Sequence, residues 1–271
     1  MHTYGSNCVF YLVKGLKKIR KCRKLKGDEV MKLIGKGRIS SVYTDDIYAY
    51  KVFDVLYDKT WVQKEVKIMN EISNKTEFEL GDVKLVNSHA IQMKYFQGMT
   101  LAQRIKKHRY KNGLDDFIEL QSKVFNYRFL NLEDAFLCYK EEISKSNLDH
   151  RLKDLALKSL NQIPYEQTLC HFDFHFENIM YDGSYHIIDW VNAKLGNKVM
   201  DIARTYIILV QYAKILSDKY LNKITQKLNI NVQDVYNAIP LMAALRLHEI
   251  NSKAFNNDLQ QMIYDYSKKA E

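Results

Sequence analysis

His171-Phe-Asp-Phe-His-Phe-Glu-Asn178, with Asp189 of Ile188-Asp189-Trp190 eleven residues later, is the stretch on which the reading of this 271-residue chain turns. It places one carboxylate, Asp173, where it can orient a hydroxyl, and then an Asn and a second Asp that can share a divalent metal. Those are the parts needed to move a phosphoryl group from a nucleotide. Asn178 and Asp189 are hard oxygen ligands, which suit Mg²⁺ bridging phosphate oxygens. His171, Asp173, His175 and Asp189 also admit a transition-metal reading. The two histidines straddle aromatics in a loop, without the His-Glu-x-x-His helix of zinc enzymes, so zinc is disfavoured. His171 is expected to brace the loop by hydrogen bonds, not to shuttle protons.

Upstream features occur in a matching order. Gly35-Lys-Gly37, with Ser40 and Ser41, sits between two strand-like runs. It is either a simple tight turn or a lid whose backbone N–H groups and Ser hydroxyls reach nucleotide phosphates. It is not a Walker loop, because no Gly-Lys-Ser/Thr follows at the required spacing to open a helix. Lys51, on the third strand, can reach phosphates. Glu65, fourteen residues further on, can pair with it from the next helix. Lys64 and Glu71 flank the same helix, and the place of Glu65 relative to Trp61 and Ile68 favours it as the partner.

Around these residues the chain reads as α+β. Strand signals at 32–43, 47–53, 83–86 and 90–96, with a helix over 60–72, describe a small antiparallel sheet with one main helix. After Gly98 the periodicity turns mostly helical, with apolar faces built on Leu148, Leu152 and Leu155, on Ile202, Tyr206 and Leu209, and on Phe255, Leu259, Ile263 and Tyr266. Ile179–Tyr181 and Tyr185–Ile188 form a short hairpin around Asp182-Gly183, explained most easily by what it positions. Two lobes are expected: 1–97 with the basic arm and nucleotide-phosphate elements, and 98–271 with the catalytic loop, metal site and acceptor site.

Composition narrows the class. The chain is 46% hydrophobic, as in a globular protein. No apolar run reaches the roughly 20 residues of a membrane span, and the N-terminus lacks the order of a signal peptide. A cytoplasmic location is expected. Cys8, Cys22, Cys138 and Cys170 show no metal or dithiol spacing and read as reduced. The net charge of +9 is concentrated: residues 1–26 hold eight Lys or Arg and no acid, leaving +1 for the other 245. Val9, Leu12, Leu16 and Ile19 recur there at helical spacing. The arm is thus either a helix packed on the body by its apolar stripe or a basic amphipathic element touching an anionic surface. No specific nucleic-acid binding is expected.

The run His171-x-Asp173-x-x-x-x-Asn178, then Ile188-Asp189-Trp190-x-x-Ala193-x-x-Gly196-x-x-x-x-Asp201-x-Ala203-Arg204, resembles the family of aminoglycoside phosphotransferases and choline/ethanolamine kinases, including spore-coat-associated kinase-like proteins. The resemblance spans about residues 30–210 and is most specific at 171–204. It implies a bilobal protein-kinase-like fold. It also implies Asp173 as catalytic base, Asn178 and Asp189 on Mg²⁺, and Lys51 with Glu65 as the phosphate-anchoring pair. Gln92 to Phe96, including Lys94, would be the adenine-receiving hinge, and Asp201 a structural brace. ATP is the implied donor, with GTP left open because Lys94 stands where relatives often carry Glu.

Departures are also visible. Phe172 replaces a common Gly, and Phe172, Phe174 and Phe176 could line the acceptor pocket. An aminoglycoside acceptor would want acidic residues such as Asp115, Asp116, Glu119, Glu133, Asp134, Glu141 and Glu142, which read equally as solvated helix faces. An amino alcohol such as choline would want an aromatic cage, with Trp190 beside the metal-binding Asp. A kinase-like scaffold with little activity is the rival in another class. A protein kinase is disfavoured by the short segment between Asp189 and Asp201.

Overall fold

A computed structural model describes residues 31–249 and 252–269. The basic arm over 1–26, with its amphipathic stretch, lies outside the described residues. The chain divides into two compact units, one running to Asn74 and resuming at Glu79–Phe96, the other made of Lys75–Phe78 and Gln97 onward.

In the first unit β1 (Lys32–Lys36), β2 (Ser40–Thr44), β3 (Tyr48–Phe53), β4 (Lys84–Asn87) and β5 (Ala90–Lys94) form one antiparallel sheet in the order β1-β2-β3-β5-β4. The turn into β3 is built by Asp45, whose Oδ1 accepts the backbone N–H groups of Ile47 at 3.0 Å and Tyr48 at 2.7 Å. Alternation along β3 sends Ala49, Lys51 and Phe53 to one face and Tyr50 and Val52 to the other. Helix α1 (Lys59–Lys75) buries Val62, Glu65, Ile68, Met69 and Ile72, a stripe at three- and four-residue steps with Glu65 its one charge. Trp61, expected on that stripe, is 49% exposed and carries Lys64 over its ring. The stripe runs through Val62, three residues before Glu65, and each helical step turns the next side chain by about 100°.

The second unit is mostly helical: α2 (Leu101–His108), α3 (Gly113–Val124), α4 (Ala135–Lys145), α5 (His150–Gln162), α6 (Lys198–Tyr212), α7 (Lys214–Leu228), α8 (Val232–Arg246) and α9 (Lys253–Lys269). Every residue of α6 from Val199 to Leu209 is buried. Five short strands run among these helices. β7 (Thr168–Cys170) pairs with β10 (Lys194–Gly196), while β8 (Ile179–Tyr181) pairs with β6 (Met99–Thr100) and with β9 (Tyr185–Ile187). The loop 171–178 therefore leaves one pinned strand and enters another, and Asp189 lies two residues past the end of β9.

Strands of three residues bring little stability of their own, so the β8–β9 hairpin depends on side chains around it. The Arg104 guanidinium lies 3.7 Å from the ring centre of Tyr110 and 3.8 Å from that of Tyr181. It also meets the Tyr185 hydroxyl. Asp116 accepts from Tyr110 at 2.7 Å and from Tyr185 at 2.5 Å. This cluster ties α2 and α3 to both strands of the hairpin. On the other side Gly98 comes so close that a Cβ there would lie 2.0 Å from the Tyr181 carbonyl oxygen. Gly98→Ala is expected to destabilise the protein by roughly 1–3 kcal/mol, seen as a fall in Tm. Gly37→Ala, whose Cβ would meet nothing closer than 3.4 Å, should be the mild control.

Candidate active site

In the first unit Lys51 Nζ bonds Glu65 Oε1 at 2.8 Å, with side chains only 13% and 3% exposed. Such a charged, largely desolvated pair holds the ammonium at a fixed place on the sheet. Gly35 and Gly37 flank a register shift and a tight turn closed by the Gly37 N–H to the Ser40 carbonyl at 2.8 Å. Neither is among the described glycines with positive φ, which are Gly81 and Gly183, so the loop does not require glycine for its backbone angles. Ser40, expected to offer its hydroxyl to phosphates, is buried. In the segment expected to receive adenine, Phe96 is buried, and Lys94 lies 3.6 Å from Glu79 and over the Phe96 ring.

In the second unit the buried strand β7 delivers His171, which is itself fully buried. Its Nε2 lies 3.1 Å from the Ile188 carbonyl and its Nδ1 accepts the Asp173 N–H at 3.2 Å. Burial lowers the imidazole pKa against the pull of nearby Asp173 and Asp189. A neutral ring with both nitrogens occupied is a brace between the two halves of the motif.

Phe172 turns the chain. Its φ of 57° is left-handed, as is that of Asp189 at 63°, a conformation that costs an L-residue about 1–2 kcal/mol. What holds it is a buried carboxylate: Asp201, in the first turn of α6, accepts the Phe172 N–H at 2.6 Å. The other oxygen of Asp201 takes Gln121 Nε2 at 3.3 Å, and Gln121 in turn accepts the Tyr220 hydroxyl at 2.6 Å. Burial pushes the Asp201 carboxyl up to about 6, against the hydrogen bonds from Phe172 and Gln121.

The bend presents Asp173, whose side chain is about a quarter exposed. Burial opposes its charge. The neighbouring His175, 3.6 Å away, together with Arg204, outweighs that and holds the carboxyl well below the usual carboxylate range. Asn178 directs its amide nitrogen at Asp173, 2.9 Å from the backbone oxygen and 3.3 Å from Oδ2. Its backbone carbonyl accepts the Ile188 N–H at 2.9 Å, which draws the Asn178 and Asp189 ends of the hairpin together. Asp173, Asn178 and Asp189 are thus assembled by one loop and one hairpin. With its amide nitrogen turned to Asp173, Asn178 can offer its side-chain oxygen elsewhere, and Asp189 offers a carboxylate. Two such ligands fit Mg²⁺, which takes few protein groups and completes its shell with phosphate and water. Among the described residues no group of three or more His, Cys, Asp or Glu is placed to hold a metal ion.

Two expectations about the acceptor side are corrected. Phe172, Phe174 and Phe176 are 3%, 0% and 9% exposed. Phe174 and Phe176 pack on Phe117 of α3, and Phe172 on Tyr139 of α4. The left-handed turn at Phe172 aims these rings into the core, so they line no pocket. Trp190 is fully buried, packs at a tilt against the His171 ring and donates to the Ile187 carbonyl at 2.9 Å. It can form no wall of a cation cage. Residues that the motif did not single out are Gln121, a polar residue within the buried face of α3, and Arg246 and Glu249, which adjoin Arg204 from far along the chain.

Residues 108–226 match the model of the phosphotransferase enzyme family. No curated protein matches the chain. Its structure is similar to that of aminoglycoside phosphotransferase APH(4)-Ia, with TM-score 0.66 and 13% identity over 96% of this chain and 99% of that one. The chain has a protein-kinase-like fold. A choline/ethanolamine kinase family protein from Mesorhizobium loti superposes with TM-score 0.63 at 11% identity over 96% of this chain and 94% of that one. Choline kinase LicA from Streptococcus pneumoniae gives 0.61 at 11% over 96% and 99%. The bilobal α+β architecture expected from the sequence is therefore present. No described helix is long and apolar enough to cross a membrane.

Two substitutions probe the bend. Phe172→Gly relieves about 1–2 kcal/mol of backbone strain but removes a buried ring worth about 3–5 kcal/mol. The net expectation is a loss of roughly 1–4 kcal/mol in unfolding experiments. For Asp201 the folded pKa lies above the unfolded value of 3.8, so the folded state binds the extra proton between about pH 4 and 6. Its contribution is fully present below that window and is lost as pH rises through it. Relative to Asp201→Asn, wild-type stability should therefore decline between pH 4 and 6, as read by Tm across that range.

Proposed function

We propose that this protein is a Mg²⁺-dependent phosphotransferase that moves the γ-phosphoryl group of ATP, or GTP, to a hydroxyl of a small molecule. The observation that carries the reading is the Asp173 carboxylate, kept charged beside a braced left-handed turn, with the Asn178 amide against it and the Asp189 end of the hairpin bonded back to Asn178. A carboxylate kept in its charged form is available to accept the hydrogen bond of an incoming O–H. That suits a reaction governed by positioning and charge neutralisation.

In this reading Asp173 accepts the acceptor's hydroxyl hydrogen bond, aligns the oxygen with the γ-phosphorus, and takes the proton as the new O–P bond forms. The bond from the γ-phosphorus to the bridging oxygen breaks, and the nucleoside diphosphate leaves with it. Lys51, fixed by Glu65, holds donor phosphates, assisted by the backbone of the Gly35–Gly37 loop. The backbone of the 92–96 segment, with Lys94 and Phe96, receives the base. Asn178 and Asp189 would hold Mg²⁺, which neutralises phosphate charge when bound. Two hard oxygen donors, drawn together by the backbone hydrogen bond from Ile188 to Asn178, support that assignment. The family resemblance points first to aminoglycosides and amino alcohols as acceptors, and to a location in the cytoplasm.

The test is nucleoside diphosphate release with MgATP or MgGTP across aminoglycosides, choline, ethanolamine, other amino alcohols and sugars. Asp173→Ala should lower acceptor-dependent turnover by about 10²–10⁴-fold while leaving nucleotide affinity and Tm close to wild type. Asp189→Ala should weaken nucleotide binding in the presence of Mg²⁺ but not in EDTA. Nucleotide binding without turnover on any acceptor would favour a kinase-like scaffold.

A further inference from the structure

The carboxylates that a polycationic acceptor would need on the helical side are largely engaged. Asp115 and Glu119 pair with Lys223 and Lys227, Asp116 belongs to the Arg104 cluster, Asp134 caps α4, and Glu141 pairs with Lys145. The strong fixed charges close to Asp173 include two cations instead. Arg204 and Arg246 are 7% and 5% exposed. Both act on the electrostatics of the Asp173 region: Arg204 helps to keep Asp173 ionised, and Asp173 in turn favours the charged form of Arg246.

Both guanidiniums close on a single carboxylate. Arg204 Nη2 meets Glu249 Oε1, and Arg246 Nη1 meets Oε2 at 2.8 Å. Arg204 Nε also reaches the Phe172 carbonyl at 3.3 Å, the peptide that leads into Asp173, and Arg246 Nη2 bonds Gln211 at 2.5 Å. Two planar guanidiniums facing the two oxygens of one anion is the arrangement by which proteins recognise carboxylates and phosphates. Of the three side chains Glu249 is the one that faces solvent, 36% exposed against 9% and 6% for the arginines. Burial and the charge of Arg204 already lower the Arg246 pKa, with Glu249 opposing them. A pair of buried cations loses its counter-anion at a steep cost, so Glu249 leaves readily only when another anion arrives.

We propose that Glu249 holds the place of an anionic group on the acceptor. An alcohol that carries a carboxylate or phosphate displaces Glu249, docks on Arg204 and Arg246, and thereby sets its hydroxyl beside Asp173. This rests on the phosphotransferase reading and narrows its acceptor to anionic or zwitterionic alcohols.

The anion site is tested without turnover. Wild type, Glu249→Ala, Glu249→Gln and the double variant Glu249→Ala/Arg246→Gln are melted in malonate, phosphate or chloride at equal ionic strength. Malonate or phosphate should raise the Tm of either Glu249 variant clearly more than that of wild type, and Arg246→Gln should abolish the gain. Whichever of malonate and phosphate acts more strongly identifies the preferred anion. Equal shifts in all proteins would overturn the proposal, whatever the enzyme does. Turnover is then compared within matched pairs, L-serine against ethanolamine, glycerate against ethylene glycol, and glycerol 3-phosphate against glycerol. The member that carries the carboxylate or phosphate should be favoured by at least about tenfold in kcat/KM, and parity or preference for the member without it would overturn the acceptor role. A clear anion site with no turnover on any alcohol would instead count against the phosphotransferase reading.

Discussion

The hydrogen bond from the Phe172 N–H to the buried Asp201 carboxylate, at 2.6 Å, is the constraint on which the candidate site depends. It stabilises a left-handed residue where an L side chain resists that conformation, and that single bend sends Phe172 into the core and Asp173 outward. The same carboxylate is linked through Gln121 to Tyr220 of α7. A local backbone angle is thereby anchored to three helices, and misplacement of the loop would require breaking a buried polar network.

Asp173 and Asp201 show how environment divides the labour of two like groups. Asp201 is enclosed, its only compensation a few hydrogen bonds, and its carboxyl is pushed up. Asp173 also resists burial, but a histidine and an arginine beside it reverse the balance. The first is suited to hold backbone in place, the second to meet a ligand as an anion. The His171 ring, neutral and bonded at both nitrogens, keeps the two halves of the motif in register without adding charge.

Much of this architecture is written locally. The α+β order, the hairpin around Asp182-Gly183 and the Lys51–Glu65 spacing all follow from periodicity and short separations, and the structure contains each of them. What periodicity could not decide was orientation. Val62 rather than Trp61 faces the sheet, because neighbouring apolar residues on a helix differ only by rotation. The three phenylalanines point inward because of one φ angle that no propensity announces in a bulky residue. Gln121 and Glu249 act on the motif from 80 and 45 residues away, and contacts at that range leave no local signature. The adenine-receiving role of Lys94 and Phe96 came from resemblance and that of Gly35, Gly37 and Ser40 from residue type and order alone, and neither source of inference carries information on burial, which for Ser40 and Phe96 is nearly complete.

The two tryptophans fall in different units and in opposite surroundings. Trp61 is half-exposed on α1, with a lysine over its face, while Trp190 is sealed among His171 and Phe78 in the second unit. Their emission is accordingly separable, the first red-shifted and open to quenchers, the second blue-shifted and shielded. The chain carries its own pair of optical reporters, one for each unit, and the inner one sits next to Asp189, where any rearrangement of the hairpin would alter its light.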